Sequence, residues 1–76
     1  MNELLEILED INPEIDYENR EDLIDAHLLD SLSIIALIGE IEDEFDITIP
    51  TVEIIPANFN SVRAMMALIN RLQMED

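Results

Sequence analysis

The residue of this chain best suited to covalent chemistry is Ser31, in the run Leu28-Leu29-Asp30-Ser31-Leu32, where an irregular stretch gives way to a strong helical pattern. At the start of a helix, free backbone N–H groups and the helix dipole favour negative charge, so a hydroxyl there is well placed to carry a phosphate ester. Asp30 and Ser31 are also helix-capping residue types, and a cap by itself accounts for the polar pair. A cap does not account for the leucine that follows, Leu32, or for the long loop that delivers the chain to this point. Nor does it account for the apolar and acidic face that continues down the same helix. Ser33 and Ser61 lie deeper in a helix or at another cap.

Other chemistries have little to work with. The only histidine, His27, stands in an acidic loop with no Ser-His-Asp relay in view, and it reads as a surface or loop-packing residue. Without cysteine there is no thiolate zinc site, no disulfide and no cysteine nucleophile. With nineteen acidic residues, proximity of two carboxylates says almost nothing about acid and base roles. Asp10, Asn12, Glu14, Asp16, Glu18 and Glu21 do fall at the ligand spacing of a calcium loop. However, Ile15 stands where the sharp turn needs glycine, Pro13 precedes it by two, and no good helix follows Glu21. No metal site is assigned.

The elements that must position Ser31 follow from hydrophobic periodicity. Asn2 caps a first helix from Glu3 to Asp10, with Leu4, Ile7, Leu8 and Ile11 at helical spacing and Pro13 closing the segment. Between Asn12 and Leu29 the period is lost, which predicts a long loop with one helical turn. A structureless loop of that length in a small domain is usually either functional or a misassigned element. Ser31 to Phe45 is the strongest helix, and it has two apolar faces. Ile34, Leu37, Ile38, Ile41 and Phe45 form an arc that must face the core. Leu32, Ile35, Ala36 and Gly39 fall roughly opposite, with Glu40, Glu42 and Asp43 around them, as expected of a docking site with an apolar centre and an acidic rim. Asp46 to Pro50 is extended, Thr51–Ile55 and Pro56–Phe59 are short helical pieces, and Asn60 or Ser61 caps a last helix from Val62 to Gln73. Its buried stripe is Val62, Met65, Met66, Ile69 and Leu72.

Seventy-six residues suffice for a single domain, 1–76, and a chain this short buries only about 60% of the surface its unfolded form exposes. An aliphatic core must therefore hold it together, and 49% apolar content makes that possible. Three aromatic residues and one glycine suit a small all-α bundle better than a many-turned β architecture. Nineteen acids against three arginines and no lysine give a net charge of -16. Such a charge repels phosphate backbones and anionic lipid, argues against nucleic acid and membrane partners, and favours a partner with a basic patch. The N-terminal residues lack the basic and apolar regions of a signal peptide, and no apolar run approaches a bilayer span, so a cytoplasmic monomer is expected.

Asp30-Ser31-Leu32 at a helix start, followed by Ile41-Glu42-Asp43-Glu44-Phe45-Asp46-Ile47-Thr48-Ile49-Pro50, resembles the acyl carrier proteins. In that family Asp-Ser-Leu precedes an acidic helix ending in Glu-Glu-Phe-Asp and then Ile-Pro. The resemblance covers Leu23 to Leu72 and implies a four-helix bundle with a long first loop and a short third helix. It implies that Ser31 receives 4'-phosphopantetheine from coenzyme A and that the arm's thiol holds an acyl or aminoacyl group as a thioester. Leu-Leu-Asp-Ser is more similar to the stand-alone D-alanyl carriers than to the fatty-acid carriers, although His27 stands where those carriers often have glycine. The resemblance then implies a non-catalytic carrier served by a phosphopantetheinyl transferase, and by a loading ligase or acyltransferase with a basic docking patch. On this basis Asp30 caps the helix and orients the serine, Leu32 and Ile35 are apolar anchors, and Glu40, Glu42 and Asp43 steer partners. The alternatives are a carrier for fatty-acid or polyketide synthesis and, from another class, an unmodified acidic interaction or calcium-binding module.

Overall fold

Leu4, Ile7 and Leu8 recur on one face of the first helix, and burying them against the rest of the chain is what makes so short a helix stable. A computed structural model describes residues 2–74, with α1 running over Asn2–Ile11; the cap expected of the Asn2 side chain lies outside what is described. The helix thus extends one residue beyond the expected span at each end, and Asn12 N–H still reaches Leu8 C=O at 2.9 Å. Helix α2 spans Ser31–Phe45, a 3-10 turn covers Thr51–Glu53, α3 is Pro56–Phe59 and α4 is Val62–Met74. Among the described residues there is no strand, and the chain is a small helical bundle with a long first loop and a short third helix.

Helix α1 packs on α2 and α4, and α3 packs on α4. Leu37 and Ile41 of α2 are buried, with Ile34, Ile38 and Phe45 partly buried against the same core, so the expected arc is the inner face. Helix α4 contributes Val62, Met65 and Ile69 as expected and also Leu68, which widens its buried stripe; Met66 and Leu72 pack at the margin. Phe59 is fully enclosed, although α3 is only one turn long. Pro56 opens that turn, its missing N–H costing nothing at a first helical position. The expected helical piece Thr51–Ile55 stops at Glu53, where Ile54 leaves helical angles.

Helix α2 ends on Asp46, a non-glycine residue at φ 54°, whose amide bonds Glu42 C=O. Aspartate tolerates this left-handed region better than most residues, which explains a sharp stop without glycine. The long first loop carries no helix; the single expected turn is present as an isolated helical-type bond from Ala26 N–H to Asp22 C=O at 2.7 Å.

Candidate functional site

The loop from Asn12 to Asp30 has too little periodicity to fix itself, so side chains anchor it at two places. At its start, Tyr17 is buried and its hydroxyl lies 2.9 Å from Leu8 C=O and 2.8 Å from Asn12 C=O, satisfying the end of α1. Burial, and then the nearby Glu9 carboxylate, push the Tyr17 hydroxyl above its ordinary pKa. Further on, Leu23 is fully buried, and its carbonyl accepts from Leu28 N–H at 3.0 Å and Leu29 N–H at 3.1 Å. That closed turn forces His27 to φ 59°, the left-handed region. His27 thus occupies a position at which glycine's freedom would be useful.

The turn delivers Asp30 to the start of α2. Its carboxylate accepts from Ser33 N–H at 2.8 Å and its carbonyl from Ile34 N–H at 2.9 Å, so Asp30 rather than Ser31 is the N-cap. The Ser33 amide first, and then the Ser33 side chain, hold the Asp30 carboxyl below the usual carboxylate range. Ser31 is the first residue of the helix and its side chain is exposed. A phosphodiester on its hydroxyl would project into solvent without displacing any core residue, so these residues fit a covalent pantetheine arm.

Below Ser31 the exposed face of α2 carries Leu32, 78% exposed, and Ile35, 67% exposed, with Ala36 and Gly39 beside them. Glu40 and Asp43 are exposed on its flanks. Glu42 sits differently: its carboxylate is half-buried and accepts from Ile49 N–H at 2.8 Å, clamping the Ile-Thr-Ile-Pro segment to the helix end. Val52 is 81% exposed, and Ile54 and Ile55 are also exposed. These three fall in the expected helical piece Thr51–Ile55, whose pattern does not signal an exposed apolar surface. Ile54 and Ile55, with Ile24, Ile34, Pro56 and Phe59, line a small apolar groove of about 90 Å³ beside the first turns of α2.

Two polar residues outside the motif, Asn60 and Glu53, make contacts that the sequence pattern does not signal. Asn60 bonds the first loop through its side-chain oxygen, and Glu53 is held by Arg71 at 2.7 and 3.1 Å and by Asn58 at 3.1 Å. The hydrogen bonds from Arg71 are the main reason the Glu53 carboxyl lies below its usual range. An Asn-Ser doublet before a helix signals a cap, and Ser61 does cap α4 by accepting from Ala64 N–H at 3.0 Å. Nothing local signals that Asn60 reaches a loop 35 residues away. The acids at calcium-loop spacing do not converge: Glu14, Asp16, Glu18 and Glu21 are all exposed, and Asn12 is used to cap a turn at Glu14 N–H. Among the described residues no group of three or more His, Asp or Glu side chains is gathered to hold a metal ion, and no helix is long and apolar enough to cross a membrane.

A helical bundle that presents an exposed serine at the capped start of its second helix fits a carrier domain, and the comparison with known families agrees. The family described as "Phosphopantetheine attachment site" matches residues 2–69, so the chain belongs to the phosphopantetheine-binding carrier proteins, which work through a covalent 4'-phosphopantetheine. Its relatives include the D-alanyl carrier protein of Streptococcus mutans, 36% identical over 66 residues that make up 87% of this chain and 78% of the relative. The D-alanyl carrier protein of Streptococcus sanguinis is 33% identical over 72 residues, covering 93% of this chain and 91% of the relative. No solved structure matches the chain significantly.

Proposed function

We propose that Ser31 is the attachment point and that the modified chain carries an aminoacyl or short acyl group, D-alanine being the first candidate, from a loading ligase to a downstream enzyme. The observation that carries this reading is the exposed Ser31 hydroxyl at the first position of α2, directly after the Asp30 cap. In the modification, the Ser31 oxygen forms a bond to the pantetheine phosphorus of coenzyme A, its proton passes to the transferase, and the adenosine-bearing phosphate leaves. Once attached, the arm supplies a thiol on which cargo is held as a thioester.

The chain's own residues hold and present rather than catalyse. Asp30 keeps the first turn of α2 formed, so that Ser31 is offered in one place. Leu32 and Ile35 form the apolar centre of a docking face, and Glu40 and Asp43 draw in partners with basic patches. Glu42 contributes charge to that rim while its carboxylate is engaged with Ile49 N–H. Tethering raises the local concentration of the thioester at each partner's active site. The single domain 1–76 would work as a monomer in the cytoplasm, apart from nucleic acid and membrane.

One observation favours small cargo over a growing fatty-acid or polyketide chain: the relatives named above are D-alanyl carrier proteins. The test is to prepare the pantetheine-bearing protein and offer it in parallel to an amino-acid adenylating ligase and to a malonyl transferase. Thioester formation with D-alanine is expected. Loading by malonyl and by no amino acid or short acid rejects the small-cargo reading. An Ile35→Glu variant is expected to lose loading while still accepting a helical fold, since Ile35 is outside the core.

A further inference from the structure

We propose that Asn60, at the junction of α3 and α4, is a positioning residue for the modification of Ser31, acting through the first loop. The inference rests on Ser31 being the attachment point. Asn60 uses its amide almost completely: its side-chain oxygen accepts from Ile24 N–H at 2.9 Å and Asp25 N–H at 3.0 Å, and its side-chain nitrogen donates to the Asp25 carboxylate at 3.1 Å. Its backbone carbonyl accepts from Leu23 N–H at 2.9 Å. Four bonds therefore fix three consecutive loop residues to the α3–α4 junction.

From those residues a short relay of hydrogen bonds leads to the serine. Leu23 C=O takes the amides of Leu28 and Leu29, which closes the turn and holds His27 in its left-handed conformation. Leu29 is buried, and the next residue, Asp30, caps α2 immediately before Ser31. Helix α2 is pinned along its length by Leu37 and Ile41, but its first turn has only Ile34, half-buried, on the inner face. The placement of Ser31 thus depends on how firmly the preceding turn is held, and Asn60 is the side chain that ties that turn to α3 and α4. An alanine there would leave two backbone N–H groups to water and let the turn open, while the core and the Leu32–Ile35 docking face stay in place.

The test is pantetheine transfer from coenzyme A by a purified phosphopantetheinyl transferase, with kcat and KM for the carrier measured separately. Wild type is compared with Asn60→Ala, Asn60→Asp, and Asn60→Asp combined with Asp25→Asn. Asn60→Ala is expected to lower kcat about tenfold with little change in KM, because docking survives and the hydroxyl is displaced. Amide hydrogen exchange at Ile24 and Asp25 is expected to accelerate in the same variant. Asn60→Asp keeps the acceptor but faces the Asp25 carboxylate; adding Asp25→Asn exchanges donor and acceptor and is expected to restore kcat to within about twofold of wild type. Ser61→Ala, which removes the α4 cap without touching the loop, is the control for stability alone. A folded Asn60→Ala with wild-type kcat, an equal loss in Ser61→Ala, or a double variant no better than Asn60→Asp overturns the proposal. Failure of wild type to be modified at Ser31 would instead reject the attachment site itself, and the inference with it.

Discussion

At the residue scale, the chemistry proposed for Ser31 is separable from stability. Its side chain is exposed and makes no contribution to the core, so Ser31→Ala is expected to abolish the mass gain from pantetheine transfer with the helical circular-dichroism signal unchanged. Modification that persists in that variant would remove Ser31 from the attachment role. His27, four positions earlier, carries the local backbone strain. Holding a side-chain-bearing residue at φ 59° costs about 1–2 kcal/mol, and glycine returns part of that gain through its greater freedom in the unfolded chain. His27→Gly is therefore expected to raise unfolding free energy by about 0.5 kcal/mol, read as a higher urea midpoint at constant slope. A lower midpoint would mean that the imidazole makes a compensating contact.

At the element scale, α2 buries one apolar arc in the core and leaves a second exposed, the face proposed for recognition. Gly39 lies in its middle on the exposed face, and a methyl group added there would meet nothing within 4 Å. Glycine inside a helix costs about 1 kcal/mol relative to alanine, so Gly39→Ala is expected to stabilise the chain by about that amount in thermal or urea unfolding. If loading by the ligase slows while stability rises, the partner approaches α2 closely at Gly39. On the inner face, Leu37 is fully enclosed, and Leu37→Ala is expected to cost about 2–5 kcal/mol, a large share of what so small a core can supply. The start and the flank of the protein's helices are also held by carboxylates whose pKa is depressed, Asp30 by the Ser33 amide and Glu53 by Arg71. Such groups contribute stability that is fully present above the ordinary carboxylate range, near pH 4, and is lost as pH falls through their lower folded values.

At the scale of the whole molecule, a net charge of -16 is confined to a body with a radius of gyration of 11.3 Å, close to the ~11 Å expected of an ordinary folded chain of this length. The three arginines are each tied to an acid, Arg20 to Asp22, Arg63 to Glu21 and Arg71 to Glu53, in pairs exposed enough to add little net stability. Burial of the aliphatic core therefore works against charge repulsion, and added salt is expected to raise the thermal midpoint at neutral pH. A midpoint that ignores ionic strength at constant pH would mean that repulsion is minor. Acidification is expected to lower the midpoint once pH falls below the ordinary carboxylate range, because the Asp30 cap and the Glu53–Arg71 pair, whose carboxyls are held below that range in the folded chain, then begin to protonate. At the alkaline end, Tyr17 contributes stability up to its ordinary pKa of about 10 and loses it as pH rises through its higher folded value.

What the sequence by itself determined was whatever depends on local pattern. Periodicity marked α1, α2 and α4, an aspartate before a helical run marked the cap at Asp30, and the order of short motifs from Asp30 to Pro50 marked the family. The second apolar arc of α2 was legible for the same reason, because an arc at helical spacing needs no tertiary information to be seen, and Leu32 and Ile35 on it are exposed in the fold. The tertiary structure decided the rest, because it depends on which distant groups meet. Leu68 joins the core only through the way α4 is rotated against its neighbours. Glu42, which the sequence places on an acidic rim, turns to clamp Ile49 N–H because the chain folds back after Asp46. Asn60 meets Ile24 and Asp25 across a separation of 35 residues or more, and no spacing rule connects residues joined only by the packing of a loop against a helix junction. A periodic element orders itself through bonds between near neighbours, whereas an aperiodic loop takes its shape from whatever lies across from it, which only the folded chain defines.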